Sequence, residues 1–187
     1  MNKQLEPALK QQAPLILGGT MLSDKFTLRL QKYLTYTLIG TAAILFVFAL
    51  GFMTNFYELY LGGNADMFDY YKRIQSLNTV IFDSSLYLIV LAILHLPFDF
   101  HKKSVSLFGV IFSAVTFGVN LSNTLVVNRL NTYFARLHLG IDFSGLESYD
   151  ASLLPFQMTQ IIFMVTIAVT LFLFVVSLVN YIKEKRK

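Results

Sequence analysis

One carboxylate stands inside an otherwise uncharged stretch of this chain: Asp83, within Ser76–Phe98. An acid among apolar residues has three chemical options. It keeps its proton, binds a cation, or pairs with a base, because an isolated carboxylate is poorly solvated there. Asn120, Asn123 and Gln160 lie in two further apolar runs and bring amide donors and acceptors. Chain reversal between the runs puts all four at one depth, together with Gln157 and Thr54. Asp83, Asn120, Asn123 and Gln160 are therefore expected to converge into one polar cluster, suited to holding a proton or a small cation.

The elements that must carry these groups follow from the length of the apolar runs. Tyr33–Tyr57, Ser104–Asn128 and Ala151–Ile182 hold no charged residue, and Ser76–Phe98 holds only Asp83. Each reaches the ~20 residues that a helix needs to cross about 30 Å of hydrocarbon at ~1.5 Å per residue. Backbone groups inside a bilayer must be paired, and the runs lack the alternation of barrel strands, so they are expected to be helices. A helix beginning after Asp83 would be too short to cross. Starting at Ser76 places the acid about 10 Å below the helix's outer end. There a charge costs less than the ~2.5–3.5 kcal/mol found at a helix centre.

Composition agrees with this reading. Of 187 residues, 55% are hydrophobic and 14% charged, where a soluble domain carries about 25% charged residues. The 18 Phe and 10 Tyr suit lipid-facing and interfacial positions. The absence of Cys removes disulfides, thiolate metal sites and cysteine nucleophiles. The pI near 9.2 does not point to nucleic acid, because the basic residues cluster beside the apolar runs, where they set topology. No cleaved signal peptide is expected, since the first apolar run follows a long polar segment and exceeds a signal core.

Orientation follows from those bases. Lys3, Lys10, Lys25, Arg29, Lys32, Lys102, Lys103, Lys183, Lys185, Arg186 and Lys187 share one side of a four-span chain, and Lys72, Arg73, Arg129 and Arg136 the other. The positive-inside rule puts the first group, with both termini, in the cytoplasm. The expected fold is an all-α integral membrane protein: an antiparallel four-helix transmembrane bundle with short amphipathic helices in the two outer loops. It divides into a cytoplasmic segment with an interfacial helix (1–33), the bundle (34–182, with spans 34–54, 76–98, 104–127 and 155–181) and a basic tail (183–187).

Local signals fill in the connections. Ser23 is placed to cap an interfacial helix over Asp24–Tyr33, and residues 1–20 read as flexible. Asn64 is placed to cap a short loop helix, Ala65–Gln75, and Gly140 to end another, Asn131–Leu139. In the third span Ser106, Gly109, Ser113 and Thr116 recur at steps of three and four and continue into Asn120 and Asn123. Such a stripe allows close helix packing in lipid. A second stripe, Thr159, Thr166, Thr170 and Ser177, has the spacing to face either the bundle or another subunit.

Other chemistry finds little footing. Only His95 of the three histidines lies within a span, so no bis-histidine haem or metal centre is expected, and it reads as an interfacial or packing residue. Ser84-Ser85 lacks a nearby base, and Gly18-Gly19-Thr20 lacks the Lys of a phosphate loop. The function expected is a non-enzymatic accessory or structural subunit of a larger membrane complex, without cofactor, whose partners are lipid and other membrane subunits or itself. The alternatives are a small oligomeric transporter or channel using Asp83, and a lipid-directed enzyme in which Asp142, Glu147 or Asp150 dips in to assist it.

Overall fold

A computed structural model describes the backbone of residues 6–100, 107–146 and 149–185, and the side chains of 26–97, 107–146 and 149–185. The order is α1 (Glu6–Phe52), a 3₁₀ turn (Met53–Phe56), α2 (Tyr57–Leu61), α3 (Ala65–Phe100), α4 (Leu107–Leu139) and α5 (Leu154–Lys185), with no strand among the described residues. Four stretches, Phe26–Leu61, Ala65–Pro97, Leu107–Leu139 and Leu154–Lys185, are long and apolar enough to cross a membrane. That pattern belongs to an integral multi-pass membrane protein.

The breaks lie where the residues require them. Gly62-Gly63-Asn64 ends α2, and the Asn64 side chain accepts a hydrogen bond from the Met67 N–H at 3.0 Å, capping α3. The Leu137 carbonyl takes the Gly140 N–H at 3.0 Å as α4 ends. Asp142 and Asp150 each accept a backbone N–H two residues on, from Ser144 at 3.0 Å and Ser152 at 3.1 Å, shaping the loop into α5.

Three expected boundaries are absent. The interfacial helix over Asp24–Tyr33 is continuous with the first span, and α1 begins at Glu6 rather than at a Ser23 cap. Ala65–Gln75 and Asn131–Leu139 are not separate surface helices but the start of α3 and the end of α4. The reason is the same for both. Ala65–Leu96 and Val119–Leu139 contain no Gly or Pro, and once a helix is nucleated each added residue is easier than stopping. Helix α3, with 36 residues, is about 54 Å long, well beyond ~30 Å of hydrocarbon. The basic turn at His101-Lys102-Lys103 lies outside the described residues.

The four long helices form a ring: α1 packs against α3 and α5, and α4 packs against the same two. Leu38, Ala42, Leu45 and Ala49 of α1 meet Ile74, Leu77, Ile81 and Leu88 of α3 in one core. The outer faces are apolar too: Ile44 and Val47 of α1, Val90 and Ile93 of α3, Ile111 and Leu125 of α4, Ile161 and Phe172 of α5. In water such faces would associate; in lipid they are the required surface. At the loop end the overhanging turns of α3 and α4 join the 3₁₀ turn and the start of α5 around the aromatic end of the same core, built on Phe52, Phe56, Phe134 and Phe156.

Candidate functional site

The polar groups that the bundle encloses form a seam between helices. Gly109, Ser113, Thr116, Asn120 and Thr124 of α4 are all buried, as are Thr159, Thr166, Thr170 and Ser177 of α5. The two stripes face each other. The Ser113 hydroxyl donates to that of Ser177 at 3.2 Å, and the Asn120 amide donates to the Thr170 hydroxyl at 3.1 Å. The Thr166 hydroxyl returns a bond to the Asn120 side-chain carbonyl at 3.4 Å. Nearer the loops the Asn131 amide donates to the Phe156 carbonyl at 3.0 Å. The α5 stripe therefore faces the bundle rather than another subunit. Ser106, the first residue of the expected α4 stripe, lies outside the described residues.

Two further contacts extend the seam to the other helices. His95 of α3 is 1% exposed and its Nε2 lies 3.1 Å from the Thr116 hydroxyl, with Phe112 against the ring at 4.7 Å between centroids. Asn180 of α5 donates to the Gln31 side chain at 2.8 Å and to the Thr27 carbonyl at 3.3 Å on α1. His95 belongs to this seam although its local sequence reads as packing. The signal was its spacing, since Leu77, Ile81, Ser84, Leu88, Ala92 and His95 recur at steps of three and four and are all buried.

The expected convergence of Asp83 with Asn120, Asn123 and Gln160 does not form. Asn120 is buried at the seam and Asn123 is half-buried, but Asp83 and Gln160 are exposed on the outer faces of α3 and α5, as is Gln157. Helical phase is the cause. Asp83 stands two residues from both Ile81 and Ser85, so it points about 160–200° away from the buried line. Asp142 and Asp150 are exposed and engaged with their own loop backbone, and Glu147 lies outside the described residues.

The loop end holds a second polar oddity. His138, one residue from the end of α4, is 1% exposed, and neither ring nitrogen has a hydrogen-bond partner among the described residues. Five aromatic rings box it in: Phe143, Phe156, Tyr70, Phe56 and Tyr149, at 4.8, 5.6, 5.7, 5.9 and 6.1 Å between centroids. They come from the loop, α5, α3 and the 3₁₀ turn, so this one residue touches most of the loop-end core. The box lies beyond Arg129, which bounds the uncharged part of α4. Burial pushes the imidazole below its ordinary value. Burial raises the Tyr149 hydroxyl, and the charges of Asp150 and Glu58 add to the rise.

Two shallow cavities flank the box. One of about 340 Å³ is lined by Asp66, Asp69, Tyr70 and Arg73 of α3 with Arg136 of α4; the other, of about 260 Å³, by Asn55, Glu58, Tyr149 and Asp150. Among the described residues no group of three or more His, Asp or Glu could hold a metal ion. Chemically the seam is a set of neutral donors and acceptors bonded to one another across helices. Such contacts hold helices in register, each worth about 0.6 kcal/mol on average in a membrane. No protein-family model matches the chain, and comparison with curated proteins and with solved structures returned no match.

Proposed function

We propose that this chain is a non-enzymatic subunit of a larger membrane complex, attached to other chains through the outward face of α3. One observation carries the reading: Asp83 is exposed on a helix that is apolar enough to cross a membrane. Below it the same face continues through Tyr87 and Val90, which are exposed apolar residues. In hydrocarbon such a carboxylate is destabilising, and a polar or cationic group on another protein offsets the penalty. Apart from the Asn131 side-chain carbonyl, which has no partner among the described residues, the seam is bonded within the bundle, which suits a rigid body that presents a surface.

The proposal includes an antiparallel bundle with both termini cytoplasmic. Two things support it. The pairs Ser113–Ser177, Asn120–Thr170 and Asn131–Phe156 ascend α4 while descending α5, and the basic residues are concentrated on the side of the termini.

The test is purification of the tagged full chain in mild detergent, with native mass and the identity of each co-purifying chain. A defined hetero-complex is expected. A homo-oligomer with nothing else bound overturns the reading, and it would turn attention to flux along a path lined by the α3 faces of several copies.

A further inference from the structure

We infer that Asp83 pairs with a lysine or arginine carried inside a membrane-spanning helix of a different protein. This rests on the subunit reading and names the chemistry of the partner. Asp83 has no hydrogen bond or ion pair among the described residues, and its side chain is exposed. With the bilayer edge at Ser76, as the uncharged run places it, the carboxylate lies about 10 Å inside, where water solvates it poorly. On the same face the exposed residues above it are Ser76 and Thr79, and those below are Tyr87, Val90 and Leu94. The face therefore carries one acid on an otherwise neutral helix surface.

The cation has to come from elsewhere. Lys72 and Arg73 on the same helix lie ten or more residues away, about 15 Å along the axis, beyond the reach of an ion pair. A second copy of the chain is a poorer source. The runs 33–57, 74–98, 107–128 and 151–182 contain no Lys or Arg, and the base nearest this level, Arg129, stands beyond the loop end of the uncharged part of α4. His95 is the one histidine within these runs, and it is buried against Thr116. A partner helix with one basic residue has the mirror-image problem, and docking the two solves both. Neighbouring Thr79 and Tyr87 then provide a hydroxyl and a ring for the contact.

The experiment uses the full chain in its native membranes, with a photo-crosslinking amino acid at Thr79 or at Tyr87, one turn on either side of Asp83. Cross-linked peptides are sequenced by mass spectrometry. The expected adduct is an apolar segment of another protein that contains a Lys or Arg. Asp83→Asn should lower its yield at least tenfold and Asp83→Glu should retain it. Asp83→Lys should abolish it, and changing the partner's base to Asp should restore it. Because Asp83 is exposed, the melting temperature of Asp83→Asn in detergent should match the wild type, which separates lost pairing from misfolding.

An adduct lacking a basic residue, an adduct with the same chain, adducts with lipid alone, or an unchanged yield in Asp83→Asn overturns the pairing. If Asp83→Asn still purifies with its partner, the subunit reading stands and the charge pairing falls. If the wild type purifies with no other chain, both fall together.

Discussion

Asn120 on α4 and Thr170 on α5 are joined by a hydrogen bond of 3.1 Å between two fully enclosed side chains. The amide also accepts from Thr166, so Asn120 holds two successive turns of α5. Replacing it with Ala removes both bonds and leaves a small void. With about 0.6 kcal/mol per membrane hydrogen bond and a cavity contribution, Asn120→Ala should lose about 1–2 kcal/mol. The readout is the midpoint of unfolding by a denaturing detergent. Asn123→Ala, at a half-buried position one turn away, should lose less. Equal losses would show that the contact has no special weight.

His95 and Thr116 make the seam's bond between α3 and α4. Thr116→Val keeps the shape and removes the hydroxyl, leaving a ring nitrogen without its partner; His95→Phe removes the imidazole instead. Each single change should destabilise, but the double variant should lose less than the sum. A coupling of about 0.5–1.5 kcal/mol from a double-mutant cycle is expected. A coupling near zero would mean that the 3.1 Å contact contributes nothing beyond packing.

How much of this was readable beforehand differs from helix to helix. The four spans were, because bilayer thickness forces long uncharged runs that length alone reveals. The inward face of α4 was legible as well, since Gly109, Ser113, Thr116 and Asn120 keep one phase and the opposite face is apolar. On α3 phase was ambiguous. Ile81, Ser85 and Leu88 form one line and Thr79, Asp83 and Tyr87 another, and both mix polar with apolar residues. A lone acid drew the cluster toward the wrong line. Helix ends near Gln75 and Asn131 were misplaced because nothing breaks the chain there. The box around His138 draws on residues from Phe56 to Phe156, and no local pattern announces a site assembled over that separation.

Gly63 and Gly118 offer opposite outcomes for one substitution. A Cβ on Gly63 would press on the Leu59 carbonyl and come within 2.7 Å of the Met67 Cβ, where α2 hands over to α3. Backbone cannot retreat as a flexible side chain can, so Gly63→Ala should destabilise by at least about 1 kcal/mol. Gly118 lies inside α4 on an exposed face with nothing within 4 Å. There Ala adds helix propensity, and Gly118→Ala should be neutral or stabilising by up to ~1 kcal/mol. Thermal melting in one detergent compares the two directly, and equal effects would contradict the tight turn at Gly62-Gly63.

The aromatic box predicts acid sensitivity at the loop end. His138 is lowered from the ordinary histidine value of 6.5, because burial among five rings disfavours the imidazolium. Among the described residues the ionisable groups against it are Tyr70 and Tyr149, both neutral in this range, so no carboxylate touches the ring to stabilise its protonated form. The sign follows from proton binding. Above 6.5 neither the folded nor the unfolded chain protonates this residue, and its contribution to stability is constant. As pH falls below 6.5 the unfolded chain takes up a proton that the folded one refuses, so stability drops toward the folded-state value. The slope approaches about 1.36 kcal/mol per pH unit. The melting temperature should be level from pH 9 to 7 and fall below 6.5. His138→Phe keeps a ring in the box and removes both unpaired nitrogens, so it should flatten that fall. An equally steep decline in the variant would move the acid sensitivity away from His138.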